Sequence, residues 1–164
     1  NNMIRRKEPV EIYAREINNE VTLALFLQAR IYGCKYQASS RLPEALYFAP
    51  HFGRAIAHAH PGVKQGISYI ARIEHVGIAE TWKEVLDLAQ SVRGKTWLNS
   101  HIEYLEGIHR RWEWKDTEKR SFLFLGEPRL VFNPAIKKED LQKGKGWLSK
   151  RTFSFDELFA AWGK

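Results

Sequence analysis

The stretch GISYIARIEHVG, residues 66–77, constrains the fold of this 164-residue chain more than any other. Ile67, Tyr69, Ala71, Ile73 and Val76 almost keep a two-residue period, and a glycine stands at each end. That is the period of a strand with one face buried. The middle of the chain, 65–79, is therefore a strand, and the other elements have to be fitted around it.

Before it, VEIYAREI (10–17) alternates as a second strand. NNEVTLALFLQARIYG (18–33) offers an asparagine cap, helix formers and a closing glycine, which predicts a helix, with a strand over 21–27 as the rival. EALYFAP (44–50) reads as a short aromatic strand stopped by proline, and the segment up to Pro61 as one or two helical turns. Beyond the central strand, 80–94 has Trp82, Val85, Leu86, Leu88 and Ala89 near helical spacing, Thr81 to cap and Gly94 to stop. A second helix follows over 96–114, with Leu98, Ile102, Leu105 and Ile108 on one face. RSFLFLGEPRLVFNP (120–134) reads as two buried strands around a Gly-Glu-Pro turn, and SFDELFAAW (154–162) as a helix with capping-box spacing from Ser154 to Glu157. Helices inserted irregularly between five or six strands imply an α+β fold built on a small curved sheet or partial barrel, whose sites lie at a mouth.

The length and the absence of repeats or linkers imply one domain over 1–164, with 1–4 a tag remnant or disordered. The longest apolar runs fall short of the ~20 residues of a membrane span, which implies no membrane partner. One cysteine, Cys34, excludes an intrachain disulfide and fits a cytoplasmic setting. Beside Tyr32 and Gly33, it reads as a small packed residue rather than a nucleophile. Phosphate-binding glycine loops, HExxH, GxSxG and CxxC pairs are all missing, so no cofactor is expected. His51, His58 and His60 cluster, and HAH on a strand would put two imidazoles on one face, yet without a neighbouring carboxylate or cysteine no metal site is expected. Glu74, Glu80, Glu139 and Asp140 are the carboxylates a metal-dependent nuclease would draw on, but their spacing lacks the strand-borne ExK of such enzymes.

What is present is charge and aromatics. The net charge of +7 favours a polyanionic partner. Positions 109–120 carry five Arg or Lys against three acids, and 137–151 six against two. Trp112, Trp114 and Trp147 sit inside these basic stretches rather than in apolar runs. A tryptophan beside a cation can stack on a base while the cation neutralises phosphate, although packing is the commoner use of the ring.

QGISYIARIEHVGIAET resembles the central strand of the PUA-like superfamily, in particular its EVE, ASCH and YTH-like branches, through Gly66, Ile67, Ile70 and Ala71, with Ile73 where those have valine. EALYFAPHFG corresponds to the earlier strand and loop, and FLFLGEPRLVFNP to later strands, so the resemblance covers about half the chain. It implies a curved barrel that binds nucleic acid, DNA rather than RNA. One modified base would be flipped into an aromatic pocket, and the domain would serve as the specificity module of a restriction or defence system beside a separate nuclease or motor. The cage tryptophans of the YTH branch have no counterpart by motif, and the insertion at 80–112 exceeds a minimal domain. The pocket candidates are Tyr47 or Phe48, which adjacent on a strand face opposite ways, with Trp82, Trp97 and Trp112. The phosphate contacts implied are Arg110, Arg111, Lys137, Lys138, Lys150 and Arg151. A nuclease or a protein-interaction domain is the alternative.

Overall fold

The central strand divides in two around Ser68, and this division organises the sheet. In the computed structural model, which describes residues 10–112, 118–141 and 152–163, it forms β4 (Gly66–Ile67) and β5 (Tyr69–Ala79). Residues 1–4, Trp114, Trp147, Lys150 and Arg151 fall outside the described residues.

Ahead of it come β1 (Ile12–Ile17), α1 (Glu20–Ala24), β2 (Ile31–Lys35), β3 (Tyr47–Phe52) and α2 (Arg54–Ala59). After it come α3 (Trp82–Arg93), α4 (Lys95–Arg111), β6 (Arg120–Leu125), β7 (Arg129–Leu130), α5 (Lys138–Leu141), β8 (Thr152–Phe153) and α6 (Phe155–Trp162). The sheet runs β2-β6-β5-β3-β1-β8, with β4 added to β3 and β7 to β5. It is open, and all its pairs are antiparallel except β1 with β3.

β5 changes partners along its length. Arg72 and Ala71 pair with Tyr47 and Phe48 of β3, while Ile73 to Ala79 pair with β6 across an irregularity between Ile73 and His75. A bulge bends its strand and tightens the twist. The sheet curls as a result, and the Tyr13 hydroxyl of β1 comes within 3.9 Å of Cys34 Sγ on β2, four places away in the strand order. Inside the curl lie Tyr13, Ile17, Tyr32, Cys34, Phe48, Phe52, Ala71, Leu123 and Leu125, plugged by Leu23 and Phe26. Outside it, α3 and α4 cover β2, β5 and β6 through Val85, Ala89, Leu105 and Ile108, while α6 covers β1 and β3 through Leu158 and Ala161.

Several local readings hold, and four are corrected. Thr81 caps α3, Gly94 ends it, and Ser154 and Glu157 form the capping box of α6. The segment 18–33 is not one helix closed by Gly33. Asn19 caps α1, a π-helical run over Leu25–Ala29 extends it, and Arg30 ends it in the left-handed region, so that β2 begins ahead of the glycine. Gly33 lies inside β2 because the Phe122 and Trp112 rings pack over it; an added Cβ would meet Phe122 Cε1 at 2.8 Å and Trp112 Cη2 at 3.1 Å. Pro50 does not stop β3 but sits within it, where Ala49 and Pro50 have no partner on the β4/β5 side and the missing N–H breaks no ladder there. The two strands at 120–134 do not pair with each other: β6 is buried between β2 and β5, whereas β7 is exposed and joins the start of β5. The fourth correction concerns HAH, which lies at the end of α2 rather than on a strand.

The two glycines bounding 66–77 have separate reasons. Gly66 has φ +99°, and a Cβ there would come within 2.5 Å of the Ile136 carbonyl oxygen. Gly77 lies under Leu88 of α3, whose methyls a Cβ would meet at 2.8 Å.

Candidate functional site

The predicted aromatic candidates divide by the face of the sheet they occupy. Tyr47 and Phe48 do point opposite ways. Phe48 is fully buried inside the curl, 4.6 Å from the Tyr32 ring and 6.0 Å from Phe26, while Tyr47 faces α6 and meets Phe155 edge-on at 5.4 Å. Trp82, at the start of α3, stacks flat on His109 of α4 at 4.5 Å, and its indole N–H donates to Glu106 at 3.4 Å. Trp112 follows α4 and packs edge-on against Phe122 and Trp82, with the Arg120 guanidinium 5.3 Å from its ring. These rings join helix to helix and helix to sheet.

Trp97 lines a cavity of about 470 Å³ together with Gln28, Arg30, Glu74, Arg93, His101 and Glu127. Its ring is engaged by Arg93 at 4.8 Å and by His101 stacked at 4.1 Å. Arg93 is itself held by the backbone: it donates to the carbonyls of Ala29, Arg30 and Leu125. The cavity walls carry two arginines against two glutamates, a mixed lining in which the carboxylates oppose a phosphate.

A second cavity, about 160 Å³, opens at the seam where the curled sheet brings β1 and β2 together. Tyr13, Cys34, Tyr36, Leu42, Pro43, Val76 and Ile78 form its apolar and aromatic lining, with Lys35, Gln37, Ser40 and Ser121 as polar groups. A cavity of ~150 Å³ is the size that accepts a single six-membered ring. Few polar groups converging on an apolar wall is the usual composition of a site for a planar ligand.

Beneath this seam is an unusual interior. Arg15 of β1 donates to the Tyr13 hydroxyl at 3.0 Å. Burial works against its charge, but Tyr32, Tyr13 and Cys34 outweigh burial and raise its pKa, so it is a permanent cation. Burial, with Cys34 adding and Arg15 opposing, raises the Tyr13 pKa; burial raises that of Tyr32 further. Both tyrosines therefore stay phenols.

The predicted phosphate contacts fall in two places. Arg110 and Arg111 are exposed at the C-terminal end of α4, where cations also complement the helix dipole. Trp112, next in the chain, reaches Gly33 of β2, so the pair stands by the β2/β6 end of the sheet. There Lys35 is in register with Arg120, and the Lys119 ammonium lies 5.7 Å from the Tyr36 ring centre. Lys137 and Lys138 lie apart, beyond Ile136, which bridges to Ile67 of β4.

The carboxylates that a nuclease would need are scattered. Glu74 borders the larger cavity, Glu80 pairs with Lys119 at 3.8 Å, and Glu139 and Asp140 are on α5. Among the described residues no cluster of three or more His, Cys, Asp or Glu could hold a metal ion, and no helix is long and apolar enough to cross a membrane. His60 is paired with Glu20 at 2.8 Å, and His51 is buried in β3.

Tyr13, Lys35, Tyr36, Leu42, Val76, Ile78 and Ser121 escaped sequence reasoning. The signal was there in part: Tyr32, Cys34 and Tyr36 alternate. Reading 18–33 as helix concealed it.

No family model matches the sequence, and no curated protein matches it. Among solved structures, the N-terminal domain of Staphylothermus marinus McrB shares this fold, with a TM-score of 0.56 at 12% identity over 93% of this chain and 95% of that one. Two point mutants of an ASCH protein of Zymomonas mobilis are also similar. The tyrosine-to-phenylalanine mutant has a TM-score of 0.46 at 10% identity over 90% and 93% of the two chains, and the serine-to-alanine mutant 0.45 at 12% over 91% and 92%. In its open, curled α+β sheet with helices packed on the outer face, this chain has the fold of that McrB N-terminal domain.

Proposed function

We propose that this domain binds nucleic acid, DNA in preference to RNA, and takes one flipped, modified base into the seam cavity between β1, β2 and β5. The observation that carries this reading is the cavity itself: it has the volume of one ring, tyrosine and aliphatic walls, and cations at its mouth. Extruding a base costs a few kcal/mol, which stacking and edge hydrogen bonds recover. An added methyl group would find Leu42, Val76 and Ile78. Lys35 and Lys119 with Arg110 and Arg111 hold the phosphates beside the mouth, and Lys137, Lys138, Lys150 and Arg151 supply further cations for the backbone. The fold shared with the McrB N-terminal domain and the resemblance to base-reading branches support a role as specificity module of a cytoplasmic restriction system, with a nuclease or motor elsewhere.

The test is a fluorescence-anisotropy titration of duplexes with one central modified base against the unmodified duplex, at two salt concentrations. A preference for one modification, with affinity that falls as salt rises, is expected. Binding that is indifferent to modification, or to salt, would sink the reading. Tyr36→Ala should then weaken the preferred duplex about 5- to 150-fold, the effect of removing a stacking face of ~1–3 kcal/mol.

A further inference from the structure

The floor of the seam cavity contains one polar device whose direction can be worked out. The Tyr13 hydroxyl has a single proton and two lone pairs. Arg15 Nη1, 3.0 Å away, can only donate, so the tyrosine oxygen accepts from it and the phenolic proton points elsewhere. The other neighbour is Cys34 Sγ at 3.9 Å, a weak acceptor that also lines the cavity. If the thiol is the donor in that contact, the phenolic proton is wholly available. If the phenol faces the sulfur instead, that contact at 3.9 Å is long and weak and a guest oxygen or nitrogen displaces it, so the floor offers a donor and asks the guest for an acceptor.

We propose that Tyr13, oriented by Arg15, is the specificity-determining donor of the cavity, and that the base it takes is neutral and leads with a carbonyl oxygen or an unprotonated ring nitrogen. This rests on the base-reading proposal above. The phenol keeps its proton throughout the working pH range, because burial raises its pKa. Arg15 adds a second demand. A fixed positive charge behind the floor opposes a cationic guest, so a single-ring base alkylated to a cation, such as N3-methylcytosine, is rejected while neutral methylated bases are admitted. The alkyl group then lies toward Leu42, Val76 and Ile78 and not toward the floor.

The test uses the full chain and two families of duplex probes. One carries 5-methylcytosine, the other N4-methylcytosine, both single-ring bases, each compared with its 3-deaza and 2-thio analogues, which remove the ring nitrogen and weaken the carbonyl acceptor in turn. Whichever methylated base is preferred, Tyr13→Phe should weaken it about tenfold, the value of one neutral hydrogen bond, with an unchanged salt slope and a thermal melt showing a folded protein. One of the two analogues should lose a similar factor on the wild type and nothing further on Tyr13→Phe, which is the signature of one shared contact. N3-methylcytosine duplexes should bind no better than unmodified ones. If a methylated base is preferred but Tyr13→Phe binds it equally well, or the two losses simply add, the donor assignment falls and the base-reading proposal stands. If no modified base is preferred by the wild type, both fall.

Discussion

Single residues in this fold carry loads that can be measured one at a time. Gly33 is a position where two rings have taken the space of a side chain. Gly33→Ala should cost about 1–3 kcal/mol by overpacking against Phe122, read as a lower urea midpoint with unchanged slope. His51 is a case where pH does the measuring. It is buried in β3, and burial, only partly opposed by Glu16, lowers its pKa from 6.5. Below pH 6.5 the unfolded chain therefore takes up a proton that the folded chain declines. Stability is full above that pH and falls as the pH drops, by up to ~1.4 kcal/mol per unit until the folded pKa is reached. Between about pH 7.5 and 5.5, which brackets the unfolded value, urea midpoints should drop more for the wild type than for His51→Gln; an equal drop would assign the pH dependence to other groups. At this scale much was legible. The opposite facing of Tyr47 and Phe48 follows from adjacency on a strand, and the burial of Cys34 from its being a small residue beside Tyr32 and Gly33. The use of a tryptophan was not, because a ring beside an arginine looks the same in sequence whether it stacks on a base or, as Trp82 does, on His109 of the next helix.

Elements were easiest to read where they end by local chemistry. Ser154 and Glu157 satisfy each other's backbone donors within four residues, so the start of α6 needs no tertiary information. Ser154→Ala should accordingly cost ~1 kcal/mol, seen as a fall in melting temperature, since α6 covers Ile12, Ala49 and Phe153 of the outer core. The end of α1 is the opposite case. Its π-helical run closes on Arg30 in the left-handed region, and Arg93 from α3, 63 positions further on, donates to the carbonyls of Ala29 and Arg30 there and to Leu125 of β6. Nothing within 18–33 announces that partner, which is why a continuous helix was the natural reading. Arg93→Met keeps the aliphatic packing and removes the donors; about 2 kcal/mol of stability should go with them. A midpoint shift near zero would mean that water replaces the guanidinium freely.

For the molecule as a whole, charge and shape act at different ranges. In the proposed reading, the net charge of +7 supplies attraction to any polyanion, while the cavity supplies choice. Replacing Arg110 and Arg111 together with alanine should therefore weaken all duplexes alike and reduce the salt slope by about 1–2, leaving the preference for a modified base intact. A changed preference would place one of these arginines at the base rather than at the backbone.

Taken alone, the sequence settled what depends on near neighbours: the period-two strand at 66–77, the capped helices α3 and α6, and the α+β class, together with the net charge of +7. The tertiary structure decided what depends on the curl of the sheet. The bulge in β5 and the exchange of its partners bring β1 to β2, so that Tyr13 and Cys34, 21 residues apart, share a floor. Side-chain periodicity tells a residue which face it occupies, but the meeting of two faces is set by bend and twist summed over several strands. That sum, absent from any single segment, is where the cavity comes from.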